Sequence, residues 1–279
     1  MKPLLEVRGL TKIFGDPCGH CVEQIKDADT NICPVCGSVV ACGDVSFDLY
    51  PGEVLGVVGE SGSGKSTLVR LLHFDWEATA GRVYYNMPQA NQNGTENVLD
   101  LSPYYKRQIR NTSLGIVYQN AHEGLRMNVT AGGNIAERLI TANWRNVGNM
   151  RTRSATLLNR TEIPVSRMDE PPRNFSGGMQ QRVQIAKALS CNPALLLLDE
   201  VTTGLDLSVQ ARVLDLIRSL HRELHISMIV VSHDLGVIRT LTSRTMVMKH
   251  GRVVESGLTD QILEDPQHKY TQLLVSSQL

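Results

Sequence analysis

The chain has 279 residues, enough for one large α/β domain that buries a substantial apolar core without crosslinks. Its 28 lysines and arginines balance 28 aspartates and glutamates, so no global field draws it toward nucleic acid or anionic lipid. Nowhere do about 18 apolar residues run together, and MKPLLEVRGLTKIFG lacks a signal-peptide core, so a cytoplasmic protein with no direct membrane insertion is expected.

In a reducing compartment, paired cysteines read as metal ligands before disulfides. DPCGHCVEQIKDADTNICPVCG, 16 to 37, carries two Cys-x-x-Cys pairs, Cys18 with Cys21 and Cys33 with Cys36, separated by eleven residues. Four thiolates at Zn–S distances of about 2.3 Å would close a small zinc-ribbon-like insert over 16–43. An iron–sulfur cluster or a redox pair is the alternative. His20 and Cys42 are spare ligands, and Cys191, alone, reads as a small buried residue. The insert interrupts an N-terminal sheet between Phe14 and Val45, where it can project without disturbing the phosphate-binding part of the chain.

VSFDLY (45–50) alternates apolar and polar residues, and after Pro51-Gly52 the run VLGVV (54–58) is continuously apolar, as a strand buried on both faces should be. LGIVYQ (114–119), ALLLLDE (194–200) and SMIVVSHD (227–234) are further strands. Between the last two, Val209, Val213, Leu216, Leu220 and Leu224 form one helical stripe. Strand, helix, strand in that order predicts a parallel sheet. MVMKHGRVVESG (246–257) reads as a hairpin turning at His250-Gly251. PQANQNGTENVLD (88–100) reads as a surface loop, and 120–175 as a helical subdomain with helices around 134–140 and 152–159.

GESGSGKST, Gly59 to Thr67, follows the buried strand and precedes the helical pattern LVRLL. Gly59, Ser61, Gly62 and Gly64 let backbone N–H groups turn inward as a phosphate nest, closed by Lys65, Ser66 and Thr67 at a helix N-terminus. Lys65 is placed to reach the β- and γ-phosphates and Ser66 to ligate Mg²⁺. Asp199 and Glu200 end an apolar strand at the carboxyl edge, where Asp199 would hold Mg²⁺ and Glu200 would polarise the attacking water. His233, after another strand, is placed to touch the γ-phosphate. NFSGGMQQR, with Ser176 as N-cap and Gly177 and Gly178 in the first turn, is a second anion site.

The phosphate loop, Gln119 in VYQN, SGGMQQR, LLLLDE, TTGLDLS and His233, in that order, resemble the ATP-binding-cassette ATPases over nearly the whole chain. The resemblance implies a single nucleotide-binding domain over 1–279. Its parts are a parallel-sheet P-loop core, an N-terminal antiparallel β subdomain and a helical subdomain. It implies a head-to-tail homodimer in which Ser176, Gly177 and Gly178 of one copy close over ATP held by the other. Gln119 would then sense the γ-phosphate and Mg²⁺, Asp206 would bridge the copies, and Phe14 would stack on adenine where most members have tyrosine. Val201 departs from the family's proline, which loosens the turn and leaves the carboxylates in place, so hydrolysis is expected to persist at an unchanged or slower rate.

VGESGSGKST and DPQHKYTQLL resemble the ATPases of oligopeptide and dipeptide importers. GLRMNVTAGGNIAERL (124–139), FSGGMQQRVQIAKALS and the C-terminal VVESGLTDQILEDPQHKYTQLLVSSQL resemble more closely the cassette subunit of the carbon-phosphorus lyase machinery. That likeness implies docking on soluble lyase core subunits in phosphonate breakdown, and not on a permease.

Overall fold

A computed structural model describes residues 2–26, 28–87 and 96–277. Most of the Asn-rich stretch read as a loop lies outside these residues. Two sheets organise the rest. The first joins β1 (Leu5–Phe14), β2 (Val39–Leu49) and β4 (Ala80–Tyr85), antiparallel in the order β2-β1-β4. The second contains β3 (Val54–Val58), β5 (Leu114–Val117), β6 (Leu195–Asp199), β7 (Ser227–Ser232), β8 (Arg244–Lys249) and β9 (Arg252–Leu258), in the order β5-β6-β7-β3-β8-β9. Every pairing in it is parallel except β8 with β9, the hairpin expected at His250-Gly251.

The helices follow in chain order: α1 (Cys21–Gln24), α2 (Lys65–Leu72), α3 (Pro103–Thr112), α4 (Ala121–Gly124), α5 (Ala131–Thr141) and α6 (Val147–Arg160). Then come α7 (Gly177–Ala188), α8 (Leu207–Leu224), α9 (Leu235–Leu241), α10 (Thr259–Glu264) and α11 (Lys269–Ser276). The parallel strands are buried on both faces, and alternate residues divide between two cores. Val54, Val58, Leu196, Leu198, Met228 and Val230 pack under the helical side. Leu55, Val57, Leu195, Leu197, Ile229 and Val231 pack toward the antiparallel sheet and α2. That division is why these strands read as unbroken apolar runs.

Two sequence expectations shift, and one helix lies outside them. β2 begins at Val39, not near Val45, so residues 39–43 are sheet and the loop between β1 and β2 is 15–38. The helices of 120–175 are longer than their apolar patterns, because Thr130 and Asn146 cap α5 and α6 by accepting from Gly133 N and Asn149 N. The helix α3 has only Ile109 buried, so its exposed PYYKRQ face carries no apolar stripe to read.

Candidate nucleotide site

The phosphate loop leaves β3 at Val58 and enters α2 at Lys65. Its shape depends on two glycines with neighbours too close for a side chain. A Cβ on Gly64 would lie 2.1 Å from Ala41 O, and one on Gly59 2.1 Å from Met248 O. Lys65 is only 3% exposed. Its ammonium donates to Gly59 O at 2.7 Å and Glu60 O at 2.8 Å, so it closes the mouth of the loop. Burial pulls its pKa down, and Glu200, Asp199 and Glu60 oppose that shift.

The acidic strand end meets this loop. Ser66 Oγ donates to Asp199 Oδ1 at 2.8 Å, and Asp199 is buried. Desolvation raises its carboxyl above the usual range against the pull of the Ser66 bond. The next residue, Glu200, turns into the left-handed region at φ 48°, with its N–H held by Val231 O at 3.0 Å. That turn presents Glu200 Oε2 to Gln119 Nε2 at 3.0 Å, to Thr203 Oγ1 at 3.2 Å and to His233 Nδ1 at 3.1 Å. Oε1 faces Lys65 Nζ at 4.0 Å. Residues separated by more than a hundred positions thus converge on one carboxylate. Hydroxyl, carboxylate and amide oxygens of Ser66, Asp199 and Gln119 are a hard donor set that suits Mg²⁺.

Ser176 caps α7 and accepts from Met179 N at 3.4 Å. Gly177 is exposed, but Gly178 is buried, and a Cβ there would meet Val209 Cγ1 at 2.2 Å. Gly178 therefore serves helix packing against α8 as well as an open first turn. Asp206 begins α8, exposed and without a side-chain capping bond. Phe14 ends β1 with its ring edge-on to Trp76 at 5.4 Å between centroids.

Other residues complete the site without having been read from the sequence. Gln181 donates to Val201 O at 3.1 Å, and Gln184 donates to Tyr118 O at 3.1 Å while accepting from Tyr118 N. The signature helix thereby holds both the strand end before Gln119 and the turn after Glu200. Two buried glutamines three residues apart on one helix face are the signal that points to them. Val201 is buried and its carbonyl accepts from Gln181, so α7 anchors the turn in which valine stands in place of proline. Tyr118 also donates from its hydroxyl to Asp75 at 2.7 Å, and Asp75 pairs with the buried His73 at 2.9 Å.

In the insert, the sulfurs of Cys18, Cys21, Cys33 and Cys36 all lie within 4.8 Å of one another. The Cys18–Cys21, Cys18–Cys33 and Cys21–Cys36 separations are 3.6, 3.8 and 3.4 Å. Four ligands about 2.3 Å from one zinc stand about 3.8 Å apart at the corners of a tetrahedron. Hydrogen bonding with Ser38 pulls the Cys36 thiol down to about 6, whereas burial pushes Cys21 up to about 12. The spare candidates are elsewhere: His20 pairs with Glu23 in solvent, and Cys42 is buried in β2 facing Gly64 O. Cys191 is half-buried, its sulfur 3.8 Å from Arg138 O.

Among the described residues no helix is long and apolar enough to cross a membrane. The family model described as ABC transporter matches residues 42–203. The Escherichia coli (strain K12) protein named "Putative phosphonates utilization ATP-binding protein PhnK" is 50% identical over 278 residues, 100% of this chain and 98% of that one. The dipeptide transport ATP-binding protein DppF of Haemophilus influenzae is 37% identical over 86% of this chain and 70% of its own length. The dimeric structure of a post-hydrolysis state of the ATP-binding cassette MJ0796 bound to ADP and Pi aligns with a TM-score of 0.75. It is 26% identical and covers 91% of this chain and 98% of that one.

Proposed function

Since this chain belongs to the ABC transporter family and is an ATP-hydrolysing cassette, we propose that it dimerises on ATP and docks on the soluble carbon-phosphorus lyase core to support phosphonate catabolism in the cytoplasm. The observation that carries the reading is the 50% identity with a phosphonates utilization protein along the full chain. Peptide-import relatives reach 40% over 86% of it. A peptide importer's ATPase is the second reading, and those relatives are what favour it.

The chemistry follows from the carboxylate cluster. Lys65 and the loop N–H groups hold the phosphates, and Thr67 continues the first turn of α2 beneath them. Gln119, Thr203 and His233 occupy one oxygen of Glu200, which leaves Oε1 for the attacking water and fixes its direction. Ser66, Asp199 and Gln119 would hold Mg²⁺, which when bound supplies charge neutralisation between the phosphates. Ser176, Gly177, Gly178 and Asp206 would complete the site of a second copy, and Phe14 would stack on adenine.

The four-cysteine group would hold one structural zinc. Its sulfurs stand at the spacing of a single tetrahedral ion, closer than thiolates distributed over several irons.

For the lyase core, the candidate docking surface is the groove of about 310 Å³ beside Gln119, lined by His73, Tyr118, Glu137, Arg138 and Lys187. Affinity purification of the tagged chain from phosphate-limited cells decides between the readings. Lyase subunits in the eluate support phosphonate breakdown, and membrane permeases with unimpaired growth on phosphonate overturn it.

A further inference from the structure

The cysteine insert packs on the turn that supports the phosphate loop. Residues 249–252, the end of β8, the turn and the start of β9, touch both. On one side, Gly251 N donates to Ser63 O at 2.9 Å inside the phosphate loop, and Gly251 O accepts from Gly43 N at 2.8 Å. On the other side, Arg252 donates to Val22 O at 2.7 Å and to Lys26 O, both carbonyls of the insert. Lys249 and His250 pair with Asp29 of the insert. Lys249 also lies over the Tyr270 ring at 5.2 Å, and the Tyr270 hydroxyl accepts from Glu60 N at 3.0 Å.

The other ends of the insert reach the same site. Phe14 pairs with Val39 in the sheet, and Val39 follows Ser38, whose hydroxyl is 3.3 Å from Cys36 Sγ. Two residues on, Ala41 O fills the space that a side chain on Gly64 would need. The insert's own buried cluster is Cys21, Ile25, Cys33 and Val40, too small an apolar core to hold such a loop without a staple. The expectation of an insert projecting clear of the nucleotide site is therefore replaced by one wedged beside it.

We propose that the metal-loaded insert is a brace for nucleotide binding: four thiolates fix the loop, and the loop fixes the 249–252 turn and the Phe14 strand end. Arg252 and Asp29 are its positioning residues. The inference rests on the reading of the cysteines as a single-ion site, and the experiment separates the two.

Mg-ADP binding to the full chain is followed by Trp76 fluorescence in a Trp144→Phe background, with metal content measured on the same samples. Cys33→Ser with Cys36→Ser should lose the metal and weaken Mg-ADP binding about fivefold or more. Arg252→Ala should keep the metal and still weaken binding. Coupling runs both ways, so Mg-ADP should raise the apparent metal affinity against a chelator by the same factor. Metal lost from the cysteine variant with Mg-ADP affinity unchanged sinks the brace and spares the metal site. Wild-type chain that takes up no metal in anaerobic preparation sinks both. Should the cysteine variant fail to fold, Arg252→Ala decides alone: full metal with undiminished binding overturns the proposal.

Discussion

Glu200 and His233 meet at 3.1 Å, Oε2 to Nδ1, across the carboxyl ends of β6 and β7. With Gln119 and Thr203 on the same oxygen, the carboxylate has one direction left in which to accept a proton. Glu200→Gln keeps the shape and removes the base, so ATP binding should persist while turnover falls by roughly 10² to 10⁴. Lys65→Ala should instead weaken nucleotide binding itself. Comparing equilibrium binding with single-turnover hydrolysis separates the two variants, and undiminished turnover in Glu200→Gln would remove that residue from the chemistry.

Burial of the Asp199 carboxyl works against its ionisation. Its pKa is raised above 3.8, so the fold disfavours its ionised form. That penalty is present above the folded pKa and vanishes below the unfolded one. Asp199→Asn should therefore raise the melting temperature of nucleotide-free protein at pH 7 to 8. The gain should fade as pH drops toward about 4, while ATPase activity is lost throughout. A melting temperature lowered at neutral pH would contradict the electrostatic argument.

ATP should drive pairing of two copies, because the exposed Ser176 and Gly177 at the start of α7 have the chemistry of a phosphate site that the chain's own loop does not need. In sedimentation experiments the Glu200→Gln protein should be dimeric with ATP and monomeric without it. Ser176→Arg should abolish the dimer and leave ATP binding to the monomer intact. A Glu200→Gln protein that stays monomeric at saturating ATP speaks against the sandwich.

At the groove beside Gln119, Arg126 pairs with Glu137 at 2.7 Å, and Lys187 reaches the same carboxylate at 3.2 Å. Arg126→Ala with Glu137→Gln removes the exposed Arg126 charge and its half-buried partner without touching the nucleotide residues. Copurification with lyase subunits should drop about tenfold or more, the loss expected when central interface charges are removed, with ATP binding unchanged. Equal recovery of those subunits would move the docking surface elsewhere.

Elemental analysis should find close to one zinc per chain, and Cys33→Ser should release it. Chelation should also lower the melting temperature by several degrees, since binding to the folded state alone is folding free energy. Iron with visible absorbance would replace zinc with a cluster.

Much of this was legible in the chain because it is written in local patterns. LLLLDE and VLGVV are strands buried on both faces, and their apolar runs stop where Asp199 and Gly59 begin the site. The start of β2 was not legible: Val39 to Cys42 lie beside the knuckle cysteines, and only pairing with β1 makes them sheet. Nor was the support for Glu200, since Thr203 acts through a turn, and Gln181 through a helix that looks merely polar. Long-range bonds from ordinary polar residues leave no periodic trace.

The place of β3 in the sheet has a consequence for synthesis. Val54–Val58 carries the phosphate loop, yet its neighbours on both sides are β7 and β8, near the other end of the chain. A chain growing from its N-terminus exposes this apolar strand long before either partner exists, and the contacts it awaits are among the slowest kind to form. ATP therefore cannot template the early stages of folding. It rewards only a chain already completed through Gly251, whose N–H closes the loop at Ser63. In the interval the unpaired strand is a site where association with other chains competes, and what protects it then must come from outside the nucleotide site.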